Sequence, residues 1–383
     1  MSKLDDLIKE LCPNGVEYKK TNSFCEIKTG KGITSKDSSE NGEYPIISGG
    51  KTPMGYYDKY NREGNTVTIS RVGANAGFVL FLEEKFYLND KCFSVIPFEE
   101  YKNTIIPKYL YYFFKNIENQ IVALQSEGGV PTINTQKVGN LEIPVPPLPV
   151  QEEIVRILDT FTSLTAELTA ELTARRKQYE YYRDSLLTRE TKVEVKKLGD
   201  IADIGVGNKP RQILEEKTEY EYINAGTTNS GYTSITNCEG DTVTTPSRGQ
   251  GGIGFVGYQK NDFYLGPLCY KIRSFNTKLV MNKYLFYYLQ NNNEKILKIK
   301  NTGGVPSVNR ADLINISISF PPLDVQQRIV NVLDNFDAIC TDLKIGLPAE
   351  IEARKKQYEY YRDMLLSFDT IHTNGGGRAE AMR

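Results

Sequence analysis

Between residues 151 and 188, apolar and aromatic side chains recur at Ile154, Leu158, Phe161, Leu164, Leu168, Leu172, Tyr179, Tyr182 and Leu186, with no proline or glycine among them. Steps of three, four and seven residues predict one long helix with a coiled-coil-like seam. Pro146-Pro147-Leu148-Pro149 blocks an earlier start. A second stripe follows Pro321-Pro322, with Ile329, Leu333, Phe336, Ile339, Leu343, Ile351, Tyr358, Tyr361 and Leu365 on its seam. Gly346-Leu347-Pro348 predicts a kink or short break within it. The first helix would run for roughly 55 Å at 1.5 Å per residue. That is too long to pack on one domain alone, so each stripe finds its natural partner in the other.

The segments ahead of the two stripes carry a different pattern. Short β-like runs such as Thr66-Val67-Thr68-Ile69 and Phe78-Val79-Leu80-Phe81 alternate with turn residues, and a helical patch at 107–120 returns at 281–293. The whole pattern is written twice. Arg175-Arg176-Lys177-Gln178-Tyr179-Glu180-Tyr181-Tyr182-Arg183-Asp184 returns as Arg354-Lys355-Lys356-Gln357-Tyr358-Glu359-Tyr360-Tyr361-Arg362-Asp363. Residues 151–159 return at 326–334, Tyr109-Leu110-Tyr111-Tyr112 as Tyr284-Leu285-Phe286-Tyr287, and Gly128-Gly129-Val130-Pro131 as Gly303-Gly304-Val305-Pro306. A period near 180 residues is too long for a solenoid and means a duplicated domain. The expected architecture is α+β: two repeated globular domains separated by two long antiparallel coiled-coil helices, with pseudo-two-fold symmetry. The expected boundaries are 1–149 and 190–324 for the domains, 150–189 and 325–368 for the helices, and 369–383 for a flexible tail without an assigned role.

Composition removes whole classes of function. One histidine, His372, leaves little room for histidine-based metal or acid–base catalysis. Six scattered cysteines without a C-x-x-C pair suit buried, reduced thiols, with Cys92 and Cys269 repeat-equivalent. No apolar run is long enough for a membrane span, and the first residues lack a signal-peptide layout, so a cytoplasmic location is expected. Gly249-Gln250-Gly251-Gly252-Ile253-Gly254 fits a dinucleotide fingerprint on paper, but strand-like Phe255-Val256-Gly257-Tyr258 follows instead of a helix, so a glycine-rich turn is expected. Thr29-Gly30-Lys31-Gly32-Ile33-Thr34 lacks phosphate-loop spacing.

Ser70-Arg71 and Ser247-Arg248 each precede a glycine turn and read as equivalent positions. Each arginine is either a surface residue at a hairpin or a contact to bases or phosphates. Asn75 and Gln250 lie within the same turns. Lys28, Lys31 and Lys36 in the first copy, and Lys209 and Arg211 in the second, read as short basic loops that are surface lysines in most proteins and contacts in a DNA reader. The Tyr-Glu-Tyr-Tyr-Arg-Asp blocks have the spacing of packing residues more than of DNA-facing aromatics. A net charge of −1 is low for a chain that grips DNA alone, so partners would supply much of the phosphate neutralisation.

Taken together, Cys12-Pro13-Asn14-Gly15-Val16-Glu17-Tyr18, Ile143-Pro144-Val145-Pro146-Pro147-Leu148, residues 151–159 and the two tyrosine-rich helices resemble the specificity subunits of type I restriction-modification systems over essentially the whole chain. The tandem Thr165-Ala166-Glu167-Leu168 and Thr169-Ala170-Glu171-Leu172 resembles the helical spacer of the IC branch. The resemblance implies that each front part is a target-recognition domain for one half of an interrupted asymmetric site on double-stranded DNA. It implies two methyltransferase and two restriction (motor-nuclease) subunits as partners, and no cofactor here, with S-adenosylmethionine, ATP and Mg²⁺ belonging to the partners. Neither an adenine-methyltransferase Asn/Asp-Pro-Pro-Tyr/Phe motif nor a Walker A loop occurs in the sequence, so no catalysis is expected. The competing reading is a coiled-coil scaffold with two domains for non-DNA ligands.

Overall fold

The computed structural model describes residues 3–39, 41–126, 128–188, 193–342 and 344–370. His372, Leu343 and most of the expected tail lie outside the described residues. The chain divides into two units, Met1–Glu167 with Ile351–Arg383, and Leu168–Glu350.

Unit 1 begins with α1 (Lys3–Leu11) and builds a four-stranded antiparallel sheet from β1 (Cys25–Thr29), β2 (Thr66–Ser70), β3 (Val79–Leu82) and β4 (Cys92–Pro97), in the order β1-β4-β2-β3. Central β2 is buried along its whole length, as expected of a strand covered on both faces. One side is covered by α2 (Pro107–Asn116), which opens on a proline and buries Tyr109, Leu110, Tyr112, Phe113 and Phe114. Beside the sheet, Tyr44–Ile47 pairs antiparallel with Tyr56–Tyr57 and parallel with Tyr87–Leu88.

Next comes α3 (Leu148–Thr188), a single 41-residue helix. It starts three residues earlier than the prolines suggested. Pro149 falls in the first turn, where backbone N–H groups have no intrahelical acceptor, so the proline costs nothing there. Val150, Ile154 and Leu158 of its first turns are fully buried in the unit 1 core. Further along, Phe161, Leu164, Leu168 and Leu172 stay half-buried in a run of mostly exposed residues, at the spacing of the expected seam.

Unit 2 repeats the frame. β5 (Ala202–Val206), β6 (Thr242–Pro246), β7 (Gly257–Gln259) and β8 (Cys269–Ser274) form an antiparallel sheet ordered β5-β8-β6-β7, and α4 (Asn282–Asn291) packs against it. The second stripe is two helices, α5 (Leu323–Thr341) and α6 (Leu347–Leu365). The break falls where the glycine predicted it: a Cβ on Gly346 would meet the carbonyl oxygens of Ala338 and Asp342 at 2.6 and 2.7 Å. One seam position differs. Ile339 is exposed and Cys340 is buried in its place, a step of seven from Leu333.

Within unit 2, α3 and α5 run antiparallel. Leu187 shares a cluster with Leu333, Tyr182 and Tyr179 both pack on Phe336, and Tyr179 lies near Asp337 and Cys340. In unit 1 the equivalent contact is Phe161 stacked on Tyr361 of α6 at 5.4 Å. These aromatics are packing residues, as their spacing indicated, while Tyr181 and Tyr360 face solvent.

Each domain is fixed to its helix by the same polar set, built on a buried glutamine and a buried tyrosine. The Gln151 side chain accepts from the Ile106 amide (2.9 Å) and donates to the carbonyls of Thr104 (2.9 Å) and Pro146 (2.7 Å). Gln326 does the same with Met281, Leu279 and Pro321 at 3.0, 2.9 and 2.8 Å. Tyr112 and Tyr287 donate to Asp159 and Asp334, each at 2.5 Å, and Lys108 and Lys283 complete the pairs. Burial and the neighbouring carboxylates push both tyrosine hydroxyls well above their ordinary range. All six cysteines are free and buried; burial raises the Cys92 thiol to about 11 and that of Cys269 to about 12.

Candidate nucleic-acid interface

At one end of each sheet the connecting loops are drawn into a common rim. In unit 1 the loop after β1 is pressed onto residues 88–89. A Cβ on Gly30 would sit 2.2 Å from the Leu88 carbonyl, and the Lys31 amide donates to that same oxygen at 2.9 Å. Buried Asn89 ties three loops together: its side chain donates to the Ile33 carbonyl (2.8 Å) and accepts from the Lys91 amide (3.1 Å), and its own amide donates to Ile47 (2.9 Å). Asn75 donates to the Gly49 carbonyl at 3.0 Å, bringing the β2–β3 turn against the loop after Ile47. Unit 2 uses the same device with other residues: the Gly207 amide donates to Gly266, and Asn224 accepts from Leu268. Asn61 and Asn237 are matched outright, accepting from Leu88 and Leu265 at 2.7 and 2.6 Å.

Both glycine segments are turns between strands, as expected. Residues 71–77 join β2 to β3 and residues 248–254 lie between β6 and β7, with positive φ at Gly73, Gly77, Gly249 and Gly254. Gly128-Gly129-Val130-Pro131 and Gly303-Gly304-Val305-Pro306 lie alongside them. The Ser126 amide donates to Thr132 and the Asn301 amide to Ser307, closing a small hairpin in each unit. Gly73 donates to Pro131 at 2.9 Å and Gly249 to Pro306 at 3.0 Å, seating each hairpin on the rim.

This hydrogen-bond register corrects one expectation. In unit 1, Arg71 donates its amide to Lys91 and accepts from Ile133. In unit 2 it is Ser247 that donates to Leu268 and accepts from Val308. Ser70 faces Cys92, whereas Pro246 faces Cys269. Arg71 therefore corresponds to Ser247, and Val72 to Arg248, so the Ser-Arg pairs are offset by one residue. A one-residue offset on extended backbone sends the side chain to the opposite face. Arg71 is half-buried, its guanidinium 5.5 Å from the Phe93 ring and its Nε unpartnered, while Arg248 is exposed.

The remaining candidates separate. Lys31, Lys36, Lys209, Arg211 and Gln250 are exposed on rim loops, and Ser70 and Ser247 are buried beneath them. Lys28 does not belong to a loop. It lies in β1, pairs with Glu26 at 3.5 Å, and lines a pocket of about 560 Å³ with Arg62 and Glu63. Strand alternation turns its side chain away from the rim residues it precedes. Exposed Lys51 and Lys91, and the two hairpins, join the rim without having been singled out as contacts; retention of the Gly-Gly-Val-Pro tetrapeptide between otherwise diverged loops was the available signal. The spacer residues Thr165, Leu168, Thr169 and Leu172 all lie within α3, with both leucines on its half-buried face. Among the described residues no group of three or more His, Cys, Asp or Glu could hold a metal ion, and no helix is long and apolar enough to cross a membrane.

The duplicated frame has relatives. The family described as the type I restriction modification DNA specificity domain matches twice, over residues 13–175 and 190–353. The EcoR124I/EcoR124II specificity subunit of Escherichia coli is 31% identical, covering 89% of this chain and 91% of its own. A putative type I specificity subunit of Mycoplasma pneumoniae is 34% identical, covering 82% and 97% respectively. The crystal structure of the type I restriction-modification S subunit from M. genitalium shares the fold, with a TM-score of 0.66 at 19% identity over 92% of this chain and 95% of that one. Two matched domains, a shared architecture and relatives aligned over nearly their full length place this chain in the family of type I restriction-modification specificity subunits, the non-catalytic DNA-recognition components of those systems.

Proposed function

We propose that the two rims each read one half of an asymmetric, interrupted site on double-stranded DNA, and that the long helices set the interval between the halves. The observation that carries this reading is the pairing of one backbone frame with two different sets of rim side chains: Arg71 and Asn75 in unit 1, Arg248 and Gln250 in unit 2. A common frame presents loops to the duplex in the same way, and differing side chains discriminate bases. Lys31, Lys36, Lys209 and Arg211 supply phosphate contacts at the edges, while Lys28, already paired with Glu26, contributes least. The tandem tetrapeptide in α3 is the ruler, as in the IC branch that the sequence resembles.

The helical faces receive two methyltransferase and two restriction subunits, with S-adenosylmethionine, ATP and Mg²⁺ held by those partners, and the assembly works in the cytoplasm. The net charge of −1 supports dependence on partners, because affinity for the duplex grows with the phosphates neutralised. The test is a binding titration on duplexes carrying split sites, with and without the methyltransferase, followed by genome-wide mapping of methylated bases. The expected result is weak binding by the chain alone, tight binding with the partner, and a bipartite methylated motif. Tight specific binding by the isolated chain at physiological salt would contradict the partner dependence, and a complex without sequence preference would contradict the reading itself.

A further inference from the structure

Within the two rims, one element is identical in sequence and seated by matching backbone hydrogen bonds. Gly128-Gly129-Val130-Pro131 and Gly303-Gly304-Val305-Pro306 hang from the same two bonds, from Gly73 and Gly249 to the proline carbonyls, and from Ile133 and Val308 back to the strand. Most of the turn they sit on differs: Val72 stands against Arg248, and Ala74 and Asn75 against Gln250 and Gly251, with one residue more in the second turn, while the seating glycines Gly73 and Gly249 are shared. Each tip lifts a valine into solvent, Val130 at 63% and Val305 at 58% exposure. A lone exposed valine is ordinary on a protein surface. The same valine raised at the same register in two copies that have otherwise diverged is not accounted for by the packing of either unit. Three of the four glycines are not packed either, Gly303 alone meeting the Asn301 side chain. Gly128, Gly129 and Gly304 have φ of +83°, +82° and +94°, and a Cβ on any of them would meet nothing within 4 Å. They shape a thin tip whose backbone can come close to whatever the valine touches.

Resting on the DNA reading above, we propose that these two hairpins are the sequence-independent part of the interface, each pressing its valine into a groove of the duplex against sugars and base edges. A residue identical in both domains cannot tell two different half-sites apart. It can serve what the halves have in common, which is the shape of the duplex and the deformation needed to reach a base within it. Apolar side chains on loops perform that task by leaning on a base step, and they do so with little regard to sequence. Discrimination is then left to the diverged side chains on either side of the hairpin.

The experiment uses the full chain assembled with its methyltransferase. Val130→Ser, Val305→Ser and the double variant are titrated on a duplex with both half-sites, and on duplexes with single base changes in either half. Methylated sites are then mapped genome-wide. Each single variant is expected to bind about tenfold more weakly on every duplex alike, and the double variant about a hundredfold, one decade per lost contact. The dependence of affinity on salt should stay unchanged, because no charge has been removed. Thermal unfolding should match the parent, since both valines are exposed, and Val130→Leu should retain binding. Affinities within twofold of the parent, or a changed base preference in the half read by the altered unit, would overturn the proposal. A parent complex that ignores split sites would instead overturn the DNA reading, and the hairpins' role with it.

Discussion

The rim and the helix anchor of each unit have been duplicated together, and they have fared differently. At the anchor, Gln151 and Gln326 make three matching hydrogen bonds each, Tyr112 and Tyr287 reach equivalent aspartates at the same distance, and Lys108 and Lys283 close both pairs. At the rim, backbone ties are kept while most side chains have changed, to the point that one arginine has moved by a residue along the turn. The buried glutamine and tyrosine of this set change only at a cost, because each group left without its partner incurs a desolvation penalty. A rim residue that only meets solvent can change without disturbing the fold. The domains are therefore held in one manner and free to read in two.

The largest test of this division leaves rim and anchor intact in both units and alters only the part of α3 beyond Asp159. Deleting residues 169–172 shortens α3 by roughly 6 Å and rotates the remainder by about 40° beyond a full turn. With a rise of about 3.4 Å and about 10–10.5 base pairs per turn, the half-sites should close up by one base pair with their bases unchanged. Methylome mapping reads both quantities at once. An active variant with the parent gap would show that α3 is not the ruler, and altered half-site bases would show that rim and helix are not independent.

Next in size is the anchor itself. Gln326→Ala strips partners from the Met281 amide and the Leu279 carbonyl, both part-buried, and from the buried Pro321 carbonyl. At about 1–3 kcal/mol for each buried group left unpaired, partly relieved by water, a loss of about 3 kcal/mol is expected in chemical denaturation. Gln151→Ala should cost unit 1 a similar amount. The methylated motif should not change in either variant, and a change would mean that the anchor also sets the reading.

At the rim the expected effects are smaller and unequal. Arg248→Ala should weaken binding of the assembled complex by about 1–3 kcal/mol if its exposed guanidinium grips a base in bidentate fashion, relaxing specificity in one half-site only. Arg71→Ala should change binding less, because that side chain lies half-buried beside Phe93. Equal effects of the two substitutions on the two half-sites would dissolve the contrast between the rims.

The smallest effect concerns a place where the anchors differ. Buried Glu153 lies between Arg156 and Lys3 of α1, and their hydrogen bonds lower its carboxyl to about 2, whereas its counterpart in α5 is exposed Arg328. Since the unfolded value is about 4.3, the contribution is complete above about pH 5 and is lost as the pH falls toward 2. Acid titration of stability should be shallower in Glu153→Gln than in the parent over that window. Identical curves would remove Glu153 from the account of unit 1.

Much of this was open to reading from the chain alone, and the exceptions share a cause. The long helix, its seam, the break at Gly346 and the glycine turns declare themselves through periodicity and through residues with special backbone demands. What escaped depends on pairing with distant strands. Ser70-Arg71 and Ser247-Arg248 look equivalent as dipeptides, but their register is set by Cys92 and Cys269 across the sheet, and a one-residue insertion can hide on either side of a matching pair. Lys28 looks like a loop residue until β1 is seen pairing with β4. Asn89 carries no local signature at all, since its importance lies in joining three loops remote in sequence.

Unit 1 is built from two separated stretches of chain. The Val16 amide donates to Asp369, the Tyr18 hydroxyl to the Phe368 carbonyl, and Leu365 and Leu366 lie in the same core as Leu4, Ile154 and Leu158. Unit 2 is a single run, Leu168–Glu350. A chain leaving the ribosome from its N-terminus can therefore complete the second unit while the first still lacks α6. The domain written first is the one finished last, and a nascent chain halted between the two C-terminal helices would carry one closed core and one open one.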